Sequence, residues 1–197
     1  MLIISYATRG NYEKELATHL MPSLKKFNVL YDIDIIKESN WHDATHYKAT
    51  FIKQKLEQHK QPLVFLDVDA ELYKYPKLFD NIPSEYDMSV HYLDLDMQWR
   101  MKPGSKKTAL SGTLYFNYND KVLKFVDEWI EENKISGIIE QKNMERVLDR
   151  IDYMKIYPLP YSYITIITHK NEIPIHMIKK SDVVIIHYQA SRRLKRR

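Results

Sequence analysis

The 197-residue chain is 44% hydrophobic and 28% charged, with 4 Gly, 8 Pro and no Cys, which excludes a disordered chain, a collagen-like repeat and a disulfide scaffold. The formal net charge is +4, but Arg192, Arg193, Lys195, Arg196 and Arg197 supply five positive charges, so the residues before 192 hold 25 basic against 26 acidic side chains. A chain this long buries roughly 70% of its unfolded surface, enough for a core without a structural metal, so any metal is expected to serve function.

The start, Met1-Leu2-Ile3-Ile4-Ser5-Tyr6, lacks the charged segment of a signal peptide, and no apolar run approaches the ~20 residues of a membrane helix. The chain therefore reads as cytoplasmic, which the absence of Cys fits. One domain is expected over residues 1–191, with residues 192–197 as a basic tail.

In chain order, Leu2 to Tyr6 reads as a strand that ends in the polar loop Ala7-Thr8-Arg9-Gly10-Asn11. A helix with Leu16, Leu20 and Leu24 on one face follows, and Pro22 is expected to kink it or end it early. Val29 to Ile36 alternates as a second strand. Asp43 to Lys60 carries Ala44, Tyr47, Phe51, Ile52 and Leu56 at helical spacing behind a capping Asp43, and Pro62 stops it. Leu63-Val64-Phe65-Leu66 is an unbroken apolar run, as expected of a central strand covered on both faces, and it ends in Asp67-Val68-Asp69.

Further strands are expected at Met88 to Leu93 and at Thr113 to Asn117, the latter entered through Ser111-Gly112. Helices fit Asp120 to Glu132 and Ile138 to Ile151, and a last strand from Val183 to Ile186 runs into His187. Strands alternating with helices argue for an α/β domain with a mostly parallel sheet, in which ligands bind beyond the carboxyl ends of the strands.

Asp67 and Asp69 stand two apart at such an end, so both carboxylates can face one hard cation, and a neutral imidazole would complete a Mn²⁺ site. Asp-x-Asp occurs twice more. Asp32 and Asp34 alternate with isoleucines and read as a solvated strand face. Asp94 and Asp96 run into Met97-Gln98-Trp99-Arg100 and read as a surface loop able to contact a substrate.

The order of these motifs resembles a GT-A fold glycosyltransferase, in particular the nucleotide-diphospho-sugar transferases akin to glycosyltransferase family 8. The resemblance rests on Tyr6-Ala7-Thr8, the helix carrying Lys48, Phe65-Leu66-Asp67-Val68-Asp69-Ala70, Ser111 to Asn117, Glu140-Gln141, and His187 to Arg192. It implies a single Rossmann-like domain, a Mn²⁺ or Mg²⁺ ion, and a nucleotide-diphospho-sugar donor with UDP favoured. Asp67, Asp69 and His187 would hold the metal, with Asp67 also on the ribose. Ser191, Arg192 and Lys195 would hold phosphate oxygens.

Glu140-Gln141 falls where the family has a carboxylate–Gln pair beside the anomeric carbon. Gln141 cannot be a general base, so a retaining reaction, in which the leaving diphosphate takes the acceptor proton, is favoured over inversion, with Glu140 orienting the donor. The alternative is an ordinary solvent-facing helix start. Ser111 and Gly112 would bring backbone close to the sugar, or simply form a turn. Tyr6 would stack on the base, with Ala7, Thr8 and Asn11 near it, or is a core tyrosine. Lys48 either reaches the nucleotide or snorkels to solvent. Ala190 and Arg192 replace the family's usual Gly and Lys, and the chain is short for the fold, so a reduced acceptor-binding part is expected.

Two other functions compete. An apolar strand followed by Asp-x-Asp also opens haloacid-dehalogenase-like phosphatases, with the first Asp as nucleophile, although Glu71 and the mid-chain position of the motif depart from that pattern. Arg192 to Arg197 could instead be a nucleic-acid-binding arm, and the two ideas combine in a transferase that glycosylates nucleic acid.

Overall fold

The computed structural model describes residues 1–37, 41–94, 107–168, 170 and 172–194. Its main sheet has six strands in the order β2-β1-β3-β6-β5-β7, made of β1 (Leu2–Thr8), β2 (Leu30–Ile36), β3 (Leu63–Leu66), β5 (Met88–Leu93), β6 (Thr108–Phe116) and β7 (Ile156–Pro158). Pairing is parallel between β1 and β2, β1 and β3, and β5 and β7, while β6 runs antiparallel to both its neighbours. This is the expected mixed, mostly parallel sheet. A second sheet of three short strands, β4 (Ala70–Leu72), β9 (Ile185–His187) and β8 (Thr165–Ile166), lies at its side.

Both faces of the main sheet are covered. Leu63 and Phe65 of β3 enter one cluster, with Phe51, Ile52 and Leu56 of α3 (Trp41–His59), Val122 and Trp129 of α4 (Asp120–Ile135), and Met144 of α5 (Glu140–Arg150). Val64 and Leu66 enter the other, with Leu16, Leu20 and Leu24. The unbroken apolar run of β3 is thus explained, since successive side chains of one strand serve opposite layers.

Several boundaries differ from the sequence reading, each for a physical reason. Pro22 does not end the first helical stretch: α1 (Asn11–Glu15) passes through a π turn (Leu16–Leu20) into α2 (Met21–Lys26), with Pro22 at its start. The wide turn lets the chain restart a helix where a missing N–H does no harm. Asp43 is not the cap of α3, which begins two residues earlier; it lies in the first turn, where its charge suits the helix dipole.

β6 begins at Thr108, so Ser111 and Gly112 lie inside a strand rather than in a turn before one. The β5–β6 ladder jumps from Ser89↔Tyr115 to His91↔Leu110, which leaves residues 111 to 114 facing Val90 alone. Such bulges re-aim side chains. Here they bring Ser111 and Gly112 to the carboxyl end of β3, where Gly112 O accepts the Asp67 N–H at 2.9 Å.

The Asp32–Asp34 face is partly solvated, with side chains 23% and 43% exposed, and it is also ion-paired. Lys55 Nζ reaches Asp32 at 2.9 Å and Asp34 at 3.0 Å, and His59 Nε2 reaches Asp32 at 2.7 Å. No helix among the described residues is long and apolar enough to cross a membrane.

Candidate active site

β3 ends at Leu66, and the chain turns at Asp67-Val68-Asp69 before pairing as β4 with β9. That pairing sets Ala70 opposite His187. One ligand atom from each of Asp67, Asp69 and His187 lies within 4.8 Å of the others, the one such group of three His, Cys, Asp or Glu side chains among the described residues. Asp94 lies at the end of β5 outside this group, and Asp96 lies outside the described residues, as do the residues after it up to Arg100.

The surroundings are built for a cation. His187 Nε2 lies 2.8 Å from Thr113 Oγ1 and Nδ1 lies 3.6 Å from Asp69 Oδ1. With the ring proton on Nε2 pointing at Thr113, Nδ1 keeps the lone pair that a metal requires. A Cβ on Gly112 would stand 3.0 Å from His187 Cε1, 3.1 Å from His187 Nδ1 and 3.1 Å from Asp67 Oδ2, so only glycine leaves this cradle open. Two carboxylates and an imidazole are a fitting donor set for Mn²⁺ or Mg²⁺.

Asp69 also accepts the Ala190 N–H at 2.6 Å. Burial works to raise its pKa, but the neighbouring His187 and the Ala190 amide hold it below the usual carboxylate range. Asp67 keeps 39% of its side chain open, on the cavity. Desolvation pushes its pKa up, helped by the charges of Asp69 and Glu140 and opposed by Lys48.

Lys48 neither snorkels nor points freely at a ligand. It is buried, with Nζ 3.0 Å from Asp67 Oδ1 and 2.8 Å from Glu140 Oε1. Burial alone would lower its pKa, but the two carboxylates raise it, so the ammonium is permanently charged. Glu140 is likewise buried rather than solvent-facing. Oε1 accepts from Ser111 Oγ at 2.8 Å and Oε2 accepts the Gln141 N–H at 2.5 Å, and against the cost of desolvation Lys48 keeps it ionised.

These groups floor a cavity of about 500 Å³ lined by Tyr6, Thr8, Lys48, Asp67, Asp69, Ser111, Glu140, Gln141, Ser191 and Arg192. Tyr6 is a wall residue in an aromatic cluster with Tyr47, Phe51 and Phe65, and its hydroxyl donates to Ala44 O at 2.6 Å. Ala7 does not reach the cavity: it is 1% exposed and packs in the core below. Asn11 is exposed and outside the lining, where Tyr12 stands instead. Lys195 lies outside the described residues. Thr45 and Ile139 carried no signal in the sequence, because only the packing of α3 and α5 turns them toward the cavity, and Thr113 lay in a family-like segment without a role until its hydroxyl met His187.

Ser191 and Arg192 come from α6 (Ala190–Leu194), which is tied down on its far side. Arg193 Nη2 contacts Glu15 Oε2 at 2.6 Å, Arg193 Nε donates to Tyr188 O at 2.9 Å, and the His19 ring stacks on Tyr188 at 4.1 Å.

No protein-family model and no curated protein matches the sequence. Solved structures do resemble it. A glycosyltransferase involved in glycosylation of the major capsid of PBCV-1 shares 14% identity at a TM-score of 0.67, covering 99% of this chain and 97% of that one. The galactosyltransferase LgtC, solved with donor and acceptor sugar analogs, shares 11% identity at 0.58, covering 96% and 87%. Mouse xyloside xylosyltransferase 1 shares 8% at 0.58, covering 96% and 97%. At such identities the likeness is one of fold: the chain has the GT-A fold of glycosyltransferases.

Proposed function

We propose that the protein transfers a sugar from a nucleotide-diphospho-sugar, with UDP as the favoured nucleotide, to a glycan or protein acceptor, using a divalent cation held by Asp67, Asp69 and His187. The observation that carries this reading is the meeting of those three ligand groups within 4.8 Å, with Asp67 and Asp69 lining a cavity that Ser191 and Arg192 also line. The fold, shared with solved glycosyltransferases, supports it.

Bound there, the cation supplies Lewis-acid neutralisation of the charge that gathers on a departing diphosphate. The chain's own residues do the rest. Arg192 and Ser191, which line the cavity, hold phosphate oxygens. Tyr6, Thr8 and Tyr12 line the side on which the nucleoside lies. Glu140 has both oxygens engaged and its proton removed, so it orients the donor and the Lys48 ammonium rather than attacking or abstracting. Gln141 faces the cavity with an amide that can stabilise charge but cannot take a proton. The acceptor proton therefore passes to the leaving diphosphate, and retention is favoured over inversion.

The phosphatase reading is not favoured, because Asp67 is ion-paired with Lys48 and Asp69 is committed to His187 and Ala190. A nucleic-acid arm is weakened because Arg192 lines the cavity and Arg193 is bound to Glu15. A glycan or protein acceptor is preferred to nucleic acid, a choice supported by similar structures that are named for glycosylation of a capsid and for a xyloside.

A thermal-shift screen of nucleotides and sugar nucleotides, with and without Mn²⁺, tests the proposal, since a ligand that binds only the folded state raises its stability. UDP or a UDP-sugar is expected to raise Tm more with Mn²⁺ than without. No shift with any sugar nucleotide in the presence of either Mn²⁺ or Mg²⁺ would sink it.

A further inference from the structure

Helix α3 meets the connection from α4 into α5 at three points in a row. His42 Nε2 lies 3.3 Å from Gly137 O, His46 Nε2 lies 2.7 Å from Ile138 O, and Lys48 Nζ lies 2.8 Å from Glu140 Oε1. A carbonyl oxygen only accepts, so each imidazole carries a proton on Nε2 and donates it. The two histidines stand four residues apart on one helix face, with ring centroids 3.9 Å apart.

The connection has no other tie across the chain. Among the described residues, every further hydrogen bond of residues 136–139 stays within the connection or comes from the two helices it joins. Ser136 N–H donates to Glu132 O and Ile138 N–H to Ser136 Oγ, the Lys142 and Asn143 amides donate to Ile139 O, and the Asn143 and Arg146 side chains donate to Ile138 O and Ser136 Oγ. Ile139, at the N-cap of α5, supplies no side-chain cap. Helix α3 is held far better, since Ala44 O accepts the Tyr6 hydroxyl at 2.6 Å and Phe51, Ile52 and Leu56 are in the core. Of the two partners, the connection is therefore the one that shifts when the contact is lost.

We propose that His42 and His46 are positioning residues: clasped on the Gly137 and Ile138 carbonyls, they fix where α5 begins, and so where Glu140 and Gln141 meet the donor sugar. The clasp stands on geometry alone, and its bearing on the sugar rests on the transferase reading above. Ala44, Thr45 and Lys48 of α3 line the cavity together with Ile139, Glu140 and Gln141, while neither histidine does, so the pair acts from behind the lining. The proposed metal ligands belong to the β3–β4 turn and to β9, which the clasp does not touch. Its loss displaces the sugar end of the site and spares the cation and nucleotide end.

Two measurements on the full chain test this. Hydrogen exchange needs no ligand. His42→Phe/His46→Phe keeps two aromatic rings and removes both Nε2–H donors, so exchange across residues 136–142 should speed up. His42→Gln/His46→Gln should restore the wild-type rate, because the Gln amide N–H stands as many bonds from the backbone as Nε2. The second measurement is Mn²⁺-dependent hydrolysis of UDP-glucose, UDP-galactose and UDP-xylose. In the Phe variant kcat should fall by about 10- to 100-fold, the scale of a small misplacement near reacting groups, and return in the Gln variant, while calorimetric affinity for UDP with Mn²⁺ keeps its wild-type value.

Unchanged exchange in the Phe variant, a Gln variant as altered as the Phe one, or UDP affinity that falls as far as kcat would overturn the proposal. A wild type that hydrolyses none of these donors and binds no UDP counts against the transferase reading instead, and exchange then decides the clasp. If the Phe variant does not fold, ¹⁵N NMR of the wild-type histidine rings decides: a proton on Nε2 of both rings is expected, and a neutral His46 protonated on Nδ1 would overturn the clasp.

Discussion

Gly112 lies against His187 so closely that a methyl group on it would meet the imidazole Cε1 at 3.0 Å and Nδ1 at 3.1 Å. Because Asp67 Oδ2 stands 3.1 Å from the same point, Gly112→Ala forces two proposed metal ligands apart at once. Mn²⁺ affinity should fall by roughly 10- to 100-fold, the range found when groups that orient ligands are disturbed. Thr113→Val should weaken Mn²⁺ similarly, and Thr113→Ser should restore it, because the hydroxyl partner of His187 Nε2 returns. Calorimetric titration with Mn²⁺, beside a melting curve for each variant, measures both effects.

Asp69→Ala and His187→Ala should abolish Mn²⁺-dependent hydrolysis of the donor, while Asp94→Ala, outside the three-ligand group, should leave it unchanged. Equal loss in all three variants would show that the wrong acid pair has been assigned. The assay is release of sugar from the sugar nucleotide found by the thermal-shift screen.

Lys48→Met should be the most destabilising single change at the site. It leaves Asp67 and Glu140 facing each other without the ammonium that lies 3.0 and 2.8 Å from them. Removing one partner of a buried ion pair costs about 3–5 kcal/mol. Glu140→Gln keeps the shape and should lose less. Urea unfolding of both variants ranks them, and a smaller loss for Lys48→Met than for Glu140→Gln would contradict the arrangement.

The acids of β2 give a pH dependence whose sign can be worked out. Desolvation opposes ionisation of Asp32, but hydrogen bonds from Lys55 and His59 win and lower its pKa from 3.8. A folded-state pKa below the unfolded one means stability that is present above 3.8 and lost as the pH falls through the lower folded value. Asp32→Asn should therefore be less stable than wild type at neutral pH, and the gap should close on acidification below the carboxylate range. Denaturant midpoints of the two proteins across that range check it; a gap that widens in acid would refute the ion pair.

Glu15→Ala should loosen α6 without touching the metal. Arg193 loses its 2.6 Å partner, and Ser191 and Arg192 are then held less firmly over the cavity. Affinity for the nucleotide should drop by about 5-fold or less, since exposed ion pairs contribute up to about 1 kcal/mol, while Mn²⁺ affinity stays as in the wild type. Separate titrations with Mn²⁺ and with nucleotide distinguish this from general damage.

Much of the framework was legible in the sequence because it depends on local periodicity. The unbroken run from Leu63 to Leu66 could only be a strand buried on both faces, and the leucines at 16, 20 and 24 could only share one helix face. Asp67 and Asp69 stood out because two acids directly after such a strand lie where α/β sheets bind ligands. What periodicity cannot show is which distant groups meet. Lys48 had two open readings until α3 packed over β3 and buried it between Asp67 and Glu140, and Glu140, read as donor-orienting or as a solvent-facing helix start, lost the second reading when that lysine and Ser111 closed on it. Ala7 and Asn11 lay in a polar loop by sequence, yet β1 runs on to Thr8, which turns Ala7 into the core. Thr113 and Gly112 gained their roles only when β4 paired with β9 and laid His187 beside them. Charge and close contact act through space over a few ångströms, and only the tertiary fold sets which residues come within that reach, such as Asp67 and His187, 120 positions apart in the chain.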